Sequence, residues 1–110
     1  MATWDDVREL ALALPEVEET TSWGKPTFKV RKKWFACEST HERGALVLKC
    51  DEEELPYMLE SRPDVFWLTP HYQGWGLVLV HVDAIDREEL TARLEDAWAI
   101  AAPKRLLPSD

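Results

Sequence analysis

Between Thr20 and Cys37 the chain takes up a period of two, and that change dictates a sheet which something else must cover. In Thr27–Arg31, Phe28 and Val30 point to one side while Thr27, Lys29 and Arg31 point to the other. Trp34–Glu38 reads as the returning strand of a hairpin, with Lys32-Lys33 as the tight connection. Thr20–Trp23 is a short β-prone piece that Gly24-Lys25-Pro26 turns. The hairpin therefore has one apolar face and one cationic face. An apolar sheet face has to be buried against a second layer, so the flanking segments must supply one.

Two of them have the period of a helix. In Thr3–Leu14, Val7, Leu10, Ala11 and Leu14 fall on one side, Thr3 and Asp6 stand in capping-box positions, and Pro15 follows the end. Near the other terminus Asp86 caps a helix with Glu89 at the box position. Leu90, Leu94, Ala97, Trp98 and Ala101 form its buried stripe, Pro103 ends it, and Lys104-Arg105 suit its C-terminal dipole. Ala45–Cys50 reads as a strand after a polar loop at His41–Gly44. Asp51–Ser61 reads as a short helix with Pro56 in its first turn, where amides lack intrahelical partners. Val65–Trp75 is a loop with a short extended piece. Leu77–Val82, apolar except at His81, reads as a central strand covered on both sides. Glu16, Glu18 and Glu19 read as a solvated loop. The fold class is α+β: an antiparallel sheet packed against helices in the order α-β-β-β-α-β(-β)-α, a two-layer sandwich. A chain of 110 residues has core enough for a single domain, residues 1–110.

Charge narrows the partners. Thr20–Cys37 carries five basic residues and no acidic one, whereas the rest has eight basic against twenty-one acidic, −13, for a net charge of −8. Such a chain repels polyanions at long range even where one face attracts them, which disfavours strong non-specific DNA binding. With 45% hydrophobic and 31% charged residues the chain belongs with globular rather than disordered sequences. No apolar run approaches a membrane span, and no signal-like segment precedes the two cysteines, so Cys37 and Cys50 are expected reduced in the cytoplasm; an inter-strand disulfide stays open.

The familiar arrangements for catalysis are missing. Cys37 and Cys50 lie on predicted strands among apolar neighbours, and His41, His71 and His81 share no spacing with them that suggests a nucleophile–base pair. No metal-ligand spacing and no glycine-rich phosphate loop occurs, and His41-Glu42 reads as an exposed polar turn. The expectation is no enzyme, no metal and no cofactor. What remains is the cationic, aromatic face. Lys25, Lys29, Arg31, Lys32, Lys33 and Lys49 are candidate phosphate contacts, with Trp23, Tyr72 and Trp75 as candidate stacking surfaces. Against this, exposed lysines are ordinary edge protection, and Trp23 and Trp75 are the more readily assigned to the core. His71 and Tyr72, with Trp23 and Trp75, could instead frame a small ligand pocket beside Lys25 and Lys49. The competing reading has His71 anchoring its loop by hydrogen bonds.

The chain resembles the MmcQ/YjbR family of small bacterial proteins over almost its whole length. The residues that carry the resemblance are S-W-G-K-P-T-F-K-V at Ser22–Val30, Lys33 to Phe35, Leu48-Lys49, T-P-H-Y at Thr69–Tyr72, Gly74-Trp75, Ala97-Trp98 and A-P-K-R at Ala102–Arg105. The resemblance implies a fold like CyaY-type and secretion chaperone-like domains. It also implies DNA binding through paired β-hairpin wings, one being the Thr27–Cys37 hairpin and the second involving Ala45–Lys49 or the loop around His71. The expectation is a non-enzymatic cytoplasmic domain that binds DNA weakly through this basic hairpin. The alternatives are a protein-interaction or chaperone-like module and a binder of small anionic ligands, both without a nucleic-acid role.

Overall fold

The computed structural model describes residues 1–104; Arg105, the last residue of the A-P-K-R motif, lies outside them. The alternating stretch forms three strands, β1 (Val17–Ser22), β2 (Lys25–Val30) and β3 (Lys33–Glu38), joined by two tight turns. They continue through β4 (Leu46–Lys49), β5 (Phe66–Trp67) and β6 (Leu77–Val80) into one antiparallel sheet of six strands, in the order β1-β2-β3-β4-β6-β5. The helices are α1 (Trp4–Leu12), α2 (Leu55–Ser61) and α3 (Arg87–Ala101). All three contribute to one core on a single face of the sheet, which makes the expected two-layer α+β sandwich.

The helix signals act as read. Thr3 Oγ1 accepts from the Asp6 amide at 3.2 Å and Asp6 Oδ2 accepts from the Thr3 amide at 2.9 Å, a complete capping box. Asp86 accepts from the Glu89 amide at 2.7 Å at the head of α3, whose buried residues are Leu90, Leu94, Ala97, Trp98 and Ala101. Pro56 stands in the first turn of α2. Trp98 Nε1 donates to the Pro15 carbonyl at 3.0 Å, tying the α1–β1 connection to α3.

Three local readings change. The residues around Glu18 and Glu19 are not loop: they belong to β1, which begins at Val17 and pairs with β2 along its length. Only Val17 packs toward the core, and five of the six β1 residues are exposed, so hydrophobic alternation could not reveal this edge strand. Glu18 stands across from Lys29, and Glu19 accepts from Arg8 of α1 at 2.8 Å. The first turn is Trp23-Gly24, with Lys25 and Pro26 already in β2, and the second is Arg31-Lys32, with Lys33 already in β3.

All four turn residues have positive φ: 55° and 76° in the first turn, 51° and 72° in the second. That is the primed-turn geometry whose twist matches antiparallel strands, and it favours Asn-Gly. A bulky residue there costs on the order of 1 kcal/mol. Lys32→Gly should therefore raise stability by about 0.5 kcal/mol, read as a higher urea midpoint with unchanged slope.

One irregularity decides which side chains face which way. The β2–β3 register pairs Phe28 with Ala36 but Lys29 with Trp34, leaving Phe35 as an extra residue. Phe35 and Ala36 consequently both enter the helix-side core, while Trp34 and Cys37 face the opposite side. There Trp34 and Cys37 join Ala45, Val47, Tyr72 and Leu79 in a second, smaller cluster. β6 is thus covered on both faces, by Val78 and Val80 on one side and Leu79 on the other.

Candidate functional site

The helix-free face of the sheet is roofed in part by the segment after β5, held down by Tyr72. Tyr72 Oη lies 2.6 Å from Ser39 Oγ, and Ser39 Oγ accepts from the amides of His41 (3.1 Å) and Glu42 (2.9 Å). Ser39 Oγ and Tyr72 Oη thus share a hydrogen bond in which either hydroxyl can donate. Ser39 and Tyr72 are both buried.

Beside this anchor lies a cleft of about 290 Å³. Thr27, Lys29, Trp34 and Cys37 form its floor, His71 and Tyr72 one wall, and Trp23 on the β1–β2 turn its lip. Lys29 makes no ion pair among the described residues. The other candidate cations are placed differently. Lys25 pairs with Glu38 at 3.4 Å and Arg31 pairs with Glu16. Lys49 lies over the Trp34 ring, 5.4 Å from its centroid. Lys32 and Lys33 are exposed at the far hairpin end.

A broader groove of about 620 Å³ lies along Trp4, Arg43, Trp67 and His81, with His41 also at its edge. Its aromatic groups already have partners: Trp4 Nε1 donates to the Gly44 carbonyl at 3.1 Å, and Trp67 stacks on His81 at 3.7 Å. The smaller cleft combines Lys29, unpaired among the described residues, with the exposed indole of Trp23.

A family model described as YjbR matches residues 12–100, the span that builds the sheet, the cleft and most of α3. The chain belongs to the YjbR family. Among its relatives are the uncharacterised proteins Mb2600 of Mycobacterium bovis and Rv2570 of Mycobacterium tuberculosis, each 29% identical over 121 residues. Each alignment covers 97% of this chain and 94% of the relative. The crystal structure of Deinococcus radiodurans protein DR2400, a DUF419 domain, superimposes with a TM-score of 0.76 at 24% identity, covering 91% of this chain and 78% of that one. That likeness establishes the fold.

In this YjbR domain the pocket residues read from sequence are brought together in part. Trp23, His71 and Tyr72 share the cleft; Trp75 is exposed but does not line it. Lys29 takes the place expected of Lys25 and Lys49, because the register puts it between Thr27 and the Trp34 ring. Trp23 is 89% exposed and Trp75 74%, so neither belongs to the core. The side chain of His71 does not anchor its loop by hydrogen bonds: its ring packs on His41 at 3.8 Å and edge-on to Tyr72 at 4.9 Å, and the anchoring bond is Tyr72's. Of the six candidate phosphate contacts, Lys29 lines the cleft, Lys25 and Arg31 are ion-paired, and Lys49 lies over Trp34. Ser39 and His41, which brace the Tyr72 and His71 wall, were not read from sequence as part of this site. The local signal was Ser39 opening the Ser39-Thr40-His41 turn, since serine oxygens commonly accept amides two and three residues on.

Cys37 and Cys50 are free thiols. Burial, with the neighbouring Glu38 charge, pushes Cys37 up from 9.0 to about 11, and burial with Asp51 and other acidic neighbours does the same to Cys50. A thiol raised in the folded state stabilises the fold fully below pH 9 and loses that contribution as pH climbs through about 11. Alkylation by iodoacetamide at pH 8 should run about a hundredfold slower in the folded protein than in urea, because that is the ratio of thiolate fractions. Among the described residues no cluster of His, Cys, Asp and Glu is placed to hold a metal ion, and no helix is long and apolar enough to cross a membrane.

Proposed function

We propose that this protein is a non-enzymatic bacterial domain, cytoplasmic in keeping with its free thiols, that takes up a small anionic molecule in the cleft between Trp23, Lys29 and Tyr72. The observation that carries this reading is the position of Lys29. It is the one lysine of the basic stretch that lines the cleft, and it does so without an ion-pair partner among the described residues. A cation in the floor of a partly apolar cavity, where the nearby Glu38 carboxylate is already paired with Lys25, is a recognition site for an anion.

Binding rather than catalysis fits the nucleophiles present. Cys37 in the cleft floor is pushed up to about 11, which keeps it a neutral thiol near pH 7. Ser39 Oγ is engaged by two amides and Tyr72, not by a base.

Duplex DNA along the hairpin is supported less well. Phosphate contacts need free cations, and Glu38 and Glu16 already neutralise Lys25 and Arg31 in a chain of net charge −8. A protein-interaction role draws on a different feature, the exposed edge strand β1, whose outer backbone groups are available for strand addition.

Titration calorimetry with phenyl phosphate and phenylacetate, on wild type and Lys29→Met, tests the proposal. Wild type should bind and the variant should bind about tenfold more weakly, the loss of one charge-assisted contact. Absence of binding by wild type to either compound would overturn it. Salt-sensitive binding of labelled duplex DNA that Lys29→Met/Lys32→Met/Lys33→Met abolishes would move the assignment back to the hairpin.

A further inference from the structure

The lip of the cleft holds a side chain that stability does not account for. Trp23 occupies the first central position of a two-residue turn at φ 55°, where asparagine is the favoured residue. It is 89% exposed, so the indole contributes almost no burial in return for that strained backbone. What sets Trp23 apart from the equally strained Arg31 and Lys32 is its place: an exposed indole at the lip of a cleft is a surface on which a ligand ring can stack. Its neighbours in the cleft fit that use. Trp34 presents a second indole, steadied by Lys49 5.4 Å from its ring centroid. Tyr72 lines the wall of the cleft with its ring and hydroxyl fixed by the bond to Ser39.

Building on the small-anion reading, we infer that the ligand carries a planar aromatic ring together with its anionic group, and that Trp23 is the platform on which the ring stacks. Lys29 pairs with the anion, and the fixed Tyr72 ring forms the wall against which the ligand sits. A cavity of about 290 Å³ holds a molecule of one or two rings, not a polymer. A carboxylate and a phosphate meet Lys29 with the same chemistry, so both belong in the test.

The experiment compares matched ring pairs by titration calorimetry. Phenyl phosphate is set against cyclohexyl phosphate and phenylacetate against cyclohexylacetate, on wild type and Trp23→Asn. Asparagine suits left-handed backbone and no buried contact is lost, so the variant should melt at or slightly above the wild-type temperature, and a thermal melt confirms that it is folded before titration. For wild type the aromatic member of each pair should bind about tenfold tighter than its saturated match, the usual scale of one stacking contact. In Trp23→Asn that difference should vanish. The tighter of the two aromatic compounds then identifies phosphate or carboxylate as the anion. Equal binding of aromatic and saturated compounds, or a difference that survives Trp23→Asn, overturns the aromatic assignment while leaving the anion cleft standing. Failure of all four compounds to bind wild type removes the cleft reading, and this inference with it.

Discussion

Phe35→Ala should cost about 3–5 kcal/mol, a large part of the roughly 5–15 kcal/mol that holds a domain of this kind together. Phe35 is fully buried in the helix-side core. It is also the extra residue of the β2–β3 bulge, paired with nothing across the ladder, so packing alone holds it in place. Alanine there removes most of a phenyl ring and leaves a cavity under α3, which packs closely against β3. The cost has a second part. With the ring gone, the register can relax toward an unbulged ladder, which would turn Trp34 to the helix side while Ala36 and Cys37 keep their faces. Urea unfolding should show a sharply lower midpoint. An additional loss of near-ultraviolet signal from Trp34 in the folded baseline would report the register change. A midpoint within about 1 kcal/mol of wild type would mean that the bulge collapses around the missing ring without strain.

Ser39→Ala should cost about 2–4 kcal/mol, more than its single hydroxyl suggests. The oxygen accepts from the His41 and Glu42 amides and meets the Tyr72 hydroxyl at 2.6 Å, all at a position 1% exposed. Alanine leaves two amides and a buried phenol hydroxyl in need of partners. Each orphaned group costs about 1–3 kcal/mol unless water reaches it, and the amides lie near enough to the surface for partial relief. The variant has a functional consequence too. Tyr72 is the anchor of the wall that carries His71, so phenyl phosphate binding should fall along with stability. Tyr72→Phe separates the two effects: it keeps the ring and removes the bond. It should lose about 1 kcal/mol of stability while removing the hydroxyl from the cleft wall. Stability of Ser39→Ala within a few tenths of a kilocalorie of wild type would show that the turn holds itself without the serine.

The layered architecture was legible because its signals are local. A capping box needs residues three apart, a helix stripe needs a period of 3.6 and a strand face needs a period of two. Thr3 with Asp6, Asp86 with Glu89, the stripe from Leu90 to Ala101, and Phe28 with Val30 all lie inside such windows, and the structure uses each as read. β1 was hidden by the same logic. An edge strand exposed at five of six positions has no hydrophobic alternation to read, and its identity comes from pairing with β2.

The cleft belongs to tertiary structure because its determinants are distant in the chain. Ser39 and Tyr72 are 33 positions apart, His41 and His71 thirty, and no periodicity links them. Which cations stay uncommitted depends on where carboxylates fall once the strands are in register. Glu38 reaches Lys25 and Glu16 reaches Arg31, while the bulge leaves Lys29 across from Trp34. The amino-acid sequence by itself determined the elements, their amphipathic faces and the helical layer that covers the sheet. Register and one extra residue in β3 decided which of the basic and aromatic side chains share a site, because charge pairing and cavity shape depend on through-space neighbours that local pattern does not encode.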